Sequence, residues 1–254
     1  MNTIQAFLDQ KLYPGVDGHW DDQLLRKRIL CYVSKETDVL DIGAGAGIVE
    51  EMNFKDIARR VVGVDPDERV MQNPYLHEAF IGTGEKLPFE DDTFDVAFAD
   101  NVMEHLVDPI AVFSEINRVL KPGGVLLGKT PNATHYMPLI ARITPHWFHR
   151  VINKARGRAE VDTFPTMYRA NTLLTVHKLA ANTGFEPISI ERFESRPEYL
   201  RMTPPTYMIG WAYEKLVNSS KIFSPFRILL IVALRKNARS LSNPLASELN
   251  LQTT

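Results

Sequence analysis

The segment Asp41–Gly47 (DIGAGAG) carries the residues best suited to binding a ligand, an acid followed by glycine at every second position. Glycine has no Cβ, so such a turn tolerates positive φ and lets a ligand approach the backbone closely. The dinucleotide fingerprint G-x-G-x-x-G is not matched, because Ile48 and Glu50 stand where the third glycine is required in the two registers. The segment therefore predicts a ligand-binding turn that differs from the dinucleotide-binding turn.

A second acid is placed to bind a sugar. Asp65 ends the apolar stretch Val61–Asp65 and lies 20 residues after Gly45. An acid at about this distance from a glycine-rich turn can accept hydrogen bonds from both hydroxyls of a ribose. The two features together predict a ligand that contains a ribose.

Three further segments follow in order. They are Gly82–Phe89 (GTGEKLPF), the loop Asn101–Leu106 (NVMEHL) after the apolar stretch Phe94–Asp100, and Leu120–Gly124 (LKPGG). With the glycine turn and Asp65, they resemble the ordered motifs of the Rossmann-like class I methyltransferases that use S-adenosylmethionine, in the broad type-11 and type-23 methyltransferase-domain group. The resemblance covers residues 37–129 and is specific to a superfamily, not to one substrate.

The resemblance implies S-adenosylmethionine as the cofactor and a position for each part of it. Asp41 is expected to face the methionine ammonium, and Asp65 to bind the ribose. Thr83 stands where the family has an aspartate that accepts from the adenine amino group. The residues that the resemblance assigns to the cofactor are Asp41, Gly43, Ala44, Gly45, Gly47, Asp65, Pro66, Thr83, Gly84, Glu85, Asp100 and Asn101.

Methyl transfer from a sulfonium requires mainly that a nucleophile be held in line with the S–CH3 bond. A hydroxyl nucleophile also needs a base, and imidazole suits that role at neutral pH. His105 follows the fourth strand beside the expected methyl group, and His135 follows the fifth strand, where open α/β sheets bind substrates. Both are candidate bases, and each could instead be structural. No cluster of metal-ligating residues stands out in the sequence, so no metal is expected.

Charge is divided unevenly along the chain. Residues 1–131 hold 13 basic and 23 acidic side chains, and residues 132–254 hold 16 basic and 8 acidic ones. The basic half suits an anionic acceptor, a membrane surface or nucleic acid, although it could equally be a solvated face or dock on the acidic half. Within it, segment 132–170 mixes arginine with aromatic residues and is expected to cover the substrate. Its candidate substrate-binding residues are Tyr136, Arg142, His149, Arg150, Tyr168 and Arg169.

Strand and helix patterns alternate through the first half, which predicts an α/β fold with a doubly wound, mostly parallel sheet and helices on both faces. The resemblance adds a count of seven strands, the last of them antiparallel. A helix is expected over Ile48–Ile57, with its first amides facing the ligand, and a turn at Lys121–Gly124. The chain is predicted to be one domain, 1–254. Its core is expected at 20–131, 171–194 and 226–236, with cover inserts at 132–170 and 195–225 and a loose tail at 237–254.

The expected function is methyl transfer from S-adenosylmethionine, at oxygen, to a small-molecule acceptor or a glycan or lipid-linked one. An RNA methyltransferase and a non-catalytic S-adenosylmethionine-binding protein stay open as alternatives. No RNA-binding module is recognisable, so nucleic acid is not an expected partner. The hydrophobic content of 44% and charged content of 24% exclude a disordered, collagen-like or coiled-coil chain.

The expected location is the cytoplasm. A single cysteine, Cys31, excludes an internal disulfide framework and suits a reducing compartment. No signal-peptide pattern is evident, and the most apolar stretch, Ile228–Leu234, is far shorter than the roughly 20 residues of a membrane span. Peripheral contact with the inner membrane surface stays open because of the basic half, and the oligomeric state is not predicted.

Overall fold

Seven strands form the sheet of the computed structural model, which describes residues 3–16, 18–143 and 165–238. The strands are β1 Asp38–Ile42, β2 Arg60–Asp65, β3 Glu78–Ile81, β4 Phe94–Asp100, β5 Leu120–Pro131, β6 Phe185–Phe193 and β7 Leu229–Lys236. The spatial order is β3-β2-β1-β4-β5-β7-β6. Strands β1 to β5 pair in parallel, and β7 lies antiparallel between β5 and β6. The predicted α/β class, with a mostly parallel seven-stranded sheet and an antiparallel last strand, is confirmed.

Helices cover both faces of the sheet, as predicted. Within the described ranges they are α1 Thr3–Leu12, α2 Trp20–Ile29, α3 Pro109–Val119, α4 Tyr136–Ile143, α5 Leu173–Asn182 and α6 Pro204–Ser219. Leu25 and Ile29 of α2 pack on one face with Phe98, while Phe113 of α3 and Val176 of α5 pack on the other. Burial on both faces accounts for the continuous apolar sequence of the central strands. None of the helices in these ranges has the length and apolar character needed to cross a membrane.

Several helices begin at side-chain caps that the sequence supplies. The Asp108 carboxylate accepts hydrogen bonds from the backbone amides of Ile110 and Ala111 in the first turn of α3. Pro109 fits in this turn because an N–H there would have no partner within the helix. Thr172 and Thr203 form capping boxes at the starts of α5 and α6. These helix starts therefore follow from local sequence.

The predicted helix Ile48–Ile57 is wrong. The structure has one short 3-10 helix there, Glu50–Met52, and no α-helix follows the glycine-rich segment. Met52 and Phe54 are both buried. Residues two apart in the chain point to different faces of an α-helix, so an α-helix would not bury both against the sheet. The ring of Phe54 meets that of Phe98 edge-on, with centroids 5.5 Å apart. The amides that a ligand meets here consequently belong to the turn itself, not to the start of an α-helix.

The turn predicted at Lys121–Gly124 lies inside β5 and does not precede it. Pairing with β4 begins at Leu120 and resumes at Val125, so four residues bulge out opposite Asp95. Gly123 takes a φ of +81° within this bulge. The bulge lets the strand continue through a sequence that would otherwise end it.

The N-terminal helix α1, which the sequence analysis does not predict, packs on the second cover segment. The hydroxyl of Tyr207 in α6 donates to the carboxylate of Asp9 at 2.7 Å, and that of Tyr13 donates to Glu214 at 3.3 Å. The cover segment itself contains α6 and a 3-10 helix, Lys221–Phe226. Residues far apart in the chain thus pack together, and a role of this segment in covering the substrate stays a prediction. The predicted tail lies outside the described residues from position 239 onward.

Candidate active site

The residues predicted to bind the cofactor meet at one edge of the sheet. Asp41 lies near the end of β1, Asp65 ends β2, Thr83 follows β3, and Asp100 ends β4. These four strands are neighbours and run parallel, so their carboxyl ends form one continuous edge. Ligands of open α/β sheets bind at this edge.

The glycine-rich turn leaves β1 through left-handed backbone. Gly43, Gly45 and Gly47 have φ values of +75°, +49° and +71°. A Cβ at Gly43 would lie 2.3 Å from Cγ2 of Val102, so a larger residue would displace the loop after β4. No other described atom lies within 4 Å of the Cβ position at Gly45, which leaves the backbone of the turn accessible there.

Asn73 braces this turn, a role that sequence reasoning missed. Its side-chain amide donates to the carbonyls of Ala44 at 2.9 Å and Gly45 at 3.2 Å, and its Oδ1 accepts from the amide of Tyr75 at 2.9 Å. The side chain is buried. An isolated asparagine between two motifs gives no spacing signal, so only the tertiary structure reveals the contact.

Asp65 is oriented by two backbone amides. Its Oδ2 accepts from Gly45 at 2.9 Å, and its Oδ1 accepts from Asp67 at 2.7 Å. Each oxygen keeps a further lone pair, which is what two adjacent hydroxyl donors require. The neighbouring Pro66 is exposed.

The loop after β3 lies close to α3. A Cβ at Gly84 would be 3.0 Å from Cγ1 of Val112, so glycine permits this approach. Thr83 is exposed, and Glu85 is half-buried. The loop therefore presents the Thr83 hydroxyl at the surface, and its predicted contact with adenine stays a prediction.

Asp41 is a buried carboxyl group that faces other carboxylates. Burial, and next the charges of Asp100 and Asp65, raise the pKa of Asp41 well above its usual range. Burial also raises the pKa of Asp100 to about 6, against the lowering effect of the Lys129 ammonium. A cationic ligand at this end of the site would therefore stabilise the charged forms of both acids.

Lys129 lies beside Asp100, and the only sequence signal for it is a lone charge in the apolar stretch of β5. Its side chain is fully buried, and its Nζ lies 2.9 Å from Asp100 and 3.0 Å from Asp21 and also contacts Asp22. Burial by itself would lower the pKa of Lys129, but the three carboxylates outweigh burial and raise it. Lys129 thus holds the start of α2 against the edge of the sheet.

The loop after β4 begins in strained backbone. Asn101 has a φ of +54°, a left-handed conformation that asparagine tolerates better than most residues. Its amide donates to the carbonyl of Lys129 at 2.9 Å. The loop is therefore held to β5 at its first residue.

Glu104 and His105 are the two neighbouring residues of this loop whose side chains can bind or release a proton. Glu104 is buried, accepts from the hydroxyl of Thr130 at 2.8 Å, and has a pKa that burial raises. Nδ1 of His105 lies 2.8 Å from the carbonyl of Pro165, which can only accept, so Nδ1 carries the proton. In the neutral ring Nε2 is then the basic nitrogen, and it lies 4.0 Å from Oε1 of Glu104. Sequence reasoning identified the histidine and missed the glutamate.

The segment after the first cover insert folds back on this loop. The amides of Met167 and Tyr168 donate to the carbonyl of Glu104 at 2.7 and 3.1 Å, and the guanidinium of Arg169 donates to the carbonyl of Val107. Tyr168 has a φ of +51°. The structure thus brings Tyr168 and Arg169 to the loop of His105, and their predicted contact with substrate stays a prediction.

His135 is enclosed by protein groups. Its Nδ1 accepts from the amide of Met137 at 3.2 Å, and its Nε2 lies 3.4 Å from Oε2 of Glu194. The buried ring packs on Tyr136 and Tyr213, with centroid distances of 4.0 and 5.5 Å. This geometry favours a structural role, and the catalytic role predicted for His135 stays a prediction.

Three substrate candidates fall outside the described part of the chain. They are the side chain of Arg142, whose backbone lies in α4, and the residues His149 and Arg150.

One group among the described residues has the composition of a metal site. Ligand atoms of His19, Asp22 and Glu51 lie within 4.8 Å of one another. Asp22 also contacts the ammonium of Lys129, which competes with a cation for that carboxylate.

Comparisons with known proteins place this architecture among methyltransferases. A family model described as a methyltransferase domain matches residues 40–128. A probable S-adenosylmethionine-dependent methyltransferase of Mycolicibacterium smegmatis is 39% identical over 124 residues, which cover 46% of this chain and 47% of that protein. A ubiquinone biosynthesis O-methyltransferase of Cereibacter sphaeroides is 30% identical over 124 residues, covering 46% and 50%. The matches span about half the length of these two relatives.

A solved structure is similar over more of the chain. An S-adenosylmethionine-dependent methyltransferase of Mesorhizobium loti superposes with a TM-score of 0.56 at 17% identity, over 87% of this chain and 98% of that one. At this identity the likeness concerns the fold alone.

Proposed function

The chain contains a class I S-adenosylmethionine-dependent methyltransferase domain, and from this premise we propose that it transfers the methyl group of S-adenosylmethionine to an oxygen atom of an acceptor. The acceptor is a small molecule, a glycan or a lipid-linked compound. The observation that carries the proposal is the sheet edge that holds Asp41 and Asp65 beside the loop of His105.

The residues of this edge fit the cofactor. The charges that act on Asp41 from the described residues are carboxylates, so a ligand ammonium would supply the missing positive charge. Asp65 offers two oriented oxygens to the ribose hydroxyls, and the space at the Cβ position of Gly45 is open, so a ligand can approach the turn there. When bound, the sulfonium supplies an activated methyl group.

His105 is the base in this proposal. Nε2 would accept the proton of the acceptor hydroxyl, and the bound cofactor would supply the methyl group that this oxygen receives. The hydrogen bond from Nδ1 to Pro165 keeps the ring oriented. The carboxyl group of Glu104, 4.0 Å from Nε2, stabilises the positive charge that develops on the ring.

Two observations support oxygen as the acceptor atom. A hydroxyl oxygen needs a base, whereas a thiolate sulfur does not, and the contact of Nδ1 with the carbonyl of Pro165 makes Nε2 the basic nitrogen of the neutral His105 ring. The relative from Cereibacter sphaeroides is named an O-methyltransferase. The basic excess of residues 132–254 further favours an acceptor with an anionic group.

We expect cofactor binding to release a proton from Asp41. In the free protein the pKa of this carboxyl group is well above its usual range, whereas an ammonium beside it favours the charged form. Affinity should therefore rise with pH through the range in which free Asp41 loses its proton. Calorimetric titration with S-adenosylhomocysteine in buffers of different ionisation enthalpy counts the protons released.

Asp41→Asn should abolish that release and weaken binding by about 10–100-fold, because a charge-assisted hydrogen bond is lost. Asp95→Asn is the matched control, because Asp95 lies at the start of β4, at the other edge of the sheet from the site. This variant should leave the proton release unchanged. Equal proton release by the wild type and Asp41→Asn would contradict the assignment.

Side-by-side titration with S-adenosylmethionine, S-adenosylhomocysteine and NAD tests the cofactor. Binding of the first two alone supports the proposal, and binding of NAD alone overturns it. Asp65→Ala should weaken cofactor binding by about 10–100-fold through loss of the ribose contacts. Asp65→Asn keeps the size of the side chain and separates loss of charge from disturbance of the turn. Unchanged affinity in both variants would exclude the ribose contact.

Transfer itself is tested with methyl-labelled cofactor and pools of sugar nucleotides, lipid-linked glycans and RNA. Label in the first or second pool supports the proposal. Label in RNA alone would overturn the acceptor class. Cofactor binding without transfer to any pool would favour the non-catalytic alternative, since a fold does not by itself imply chemistry.

A further inference from the structure

The outer face of α6 and of the 3-10 helix that follows it exposes large apolar side chains. Their exposed fractions range from 43% at Met208 to 79% at Ile222. We call the five residues of this surface the apolar patch: Met208, Ile209, Leu216, Ile222 and Phe226. Such a surface on a folded chain marks an interaction site more often than isolated exposed residues do.

The part of the patch that belongs to α6 lies on one side of that helix. The residues that α6 buries are Tyr207, Gly210, Glu214 and Val217, at helical spacing, so the opposite side of the helix faces outward. The 3-10 helix is joined to α6 because the hydroxyl of Tyr213 donates to the carbonyl of Phe226 at 2.5 Å.

Charge on this segment has one sign at the surface. The only acid in residues 202–226 is Glu214, which is buried and pairs with Lys215 at 3.1 Å, and the other base of the segment, Lys221, is exposed. Apolar side chains flanked by lysine are the composition of helices that lie in the interface of anionic membranes.

The geometry points to an anionic lipid surface as the partner of the apolar patch. A second copy of the chain fits less well, because a two-fold contact sets each patch against itself. Lys221 would then lie near the lysine of the other copy, and residues 202–226 offer no exposed acid to it, because Glu214 is buried and pairs with Lys215 at 3.1 Å.

The patch is attached to the ligand-binding edge of the sheet. The side-chain amide of Asn132, just beyond the end of β5, donates to the carbonyls of Pro225 and Arg227, both at 2.8 Å. The 3-10 helix of the patch is therefore held next to the end of β5, which belongs to the carboxyl edge of the sheet. The docking stands without the proposed reaction, and only the delivery of a lipid-linked acceptor rests on the proposed function.

Vesicle flotation of the full chain tests the inference. We expect binding to equimolar phosphatidylcholine–phosphatidylglycerol vesicles and weaker binding to phosphatidylcholine alone. The double variant Ile209→Asp/Leu216→Asp should lose at least about tenfold in vesicle affinity, since two apolar side chains no longer enter the interface. Lys221→Glu should reduce the preference for anionic vesicles and its dependence on salt.

Leu174→Asp is the matched control, because Leu174 is equally exposed, at 64%, but lies on α5. It should bind vesicles like the wild type. Thermal melting followed by circular dichroism shows whether each variant is folded, and Ile209→Ser/Leu216→Ser replaces the double variant if the acids prevent folding. Titration with S-adenosylhomocysteine on the same samples reports the cofactor site separately from docking.

Three results would overturn the inference. The first is the absence of flotation with either vesicle. The second is an equal loss in Leu174→Asp. The third is a dimer, seen by light scattering, that the patch variant dissociates while vesicles do not bind, which would assign the patch to a second copy.

Discussion

Lys129→Met is expected to destabilise the chain by about 3–5 kcal/mol, which corresponds to a fall in melting temperature of about 6–20 °C for a protein of this size. The ammonium of Lys129 is fully buried and contacts Asp100, Asp21 and Asp22. Methionine has a similar shape, so the change removes the charge and little of the packing. The three carboxylates would then face one another without a cation, a strongly unfavourable arrangement away from water.

Lys121→Met is the control, because it makes the same change on the same strand. The Lys121 ammonium pairs with Asp95 at 2.8 Å but its side chain is about a third exposed, so its removal should cost at most about 1 kcal/mol. Equal losses in the two variants would show that the buried cluster does not depend on Lys129.

The loss in Lys129→Met should also depend on pH. The pKa of Asp100 in the folded chain is already raised, to about 6, and removing the ammonium raises it further. An acid whose pKa is higher in the folded than in the unfolded state stabilises the folded state at low pH. This stabilisation is lost as the pH rises through the pKa of the folded state. Lys129→Met should therefore differ less from the wild type near pH 5 than near pH 8 in denaturant titrations.

His105→Asn is expected to lower kcat by about 10²–10⁴-fold once an acceptor is in hand, because the base is lost. The asparagine amide can still donate to the carbonyl of Pro165, so the contact between the two loops is kept. Affinity for S-adenosylhomocysteine should stay within a few-fold of the wild type. The rise of kcat with pH that a base produces should disappear in the variant.

His135→Asn separates the two histidines. Asparagine can accept from the amide of Met137 as Nδ1 of His135 does, so the local hydrogen bond survives. We expect a loss of stability from poorer packing on Tyr136 and Tyr213, with kcat within about tenfold of the wild type. A normal kcat in His105→Asn with a large loss in His135→Asn would reverse the assignment.

A buried chain of hydrogen bonds positions the loop of His105. The side-chain amide of Asn171 donates to the hydroxyl of Thr130, which in turn donates to the carboxylate of Glu104. All three side chains are buried, so each group depends on the next for its partner. The loop after β4, the end of β5 and the segment before α5 are thereby joined behind the candidate base.

Sequence reasoning worked best where a structural preference acts between near neighbours. The alternation of strands and helices and the glycines of the turn are such features, and the structure has left-handed φ at Gly43, Gly45 and Gly47. It failed over Ile48–Ile57, where burial of Phe54 against the sheet overrides a local helical pattern. It also failed at Lys121–Gly124, because a bulge lets pairing with β4 continue through a turn-forming sequence.

The strand–turn pattern, the cofactor class and the order of the motifs could all be predicted from the sequence, because backbone preference and motif spacing are properties of residues close together in the chain. Which groups act on one another became clear only from the folded chain. Asn73 reaches the glycine turn, and Lys129 meets carboxylates from β4 and α2. Asp41 faces two further acids. These contacts join residues distant in the chain, and hydrogen bonds and charge interactions depend on distance in space. The raised pKa of Asp41 is therefore a property of the folded sheet.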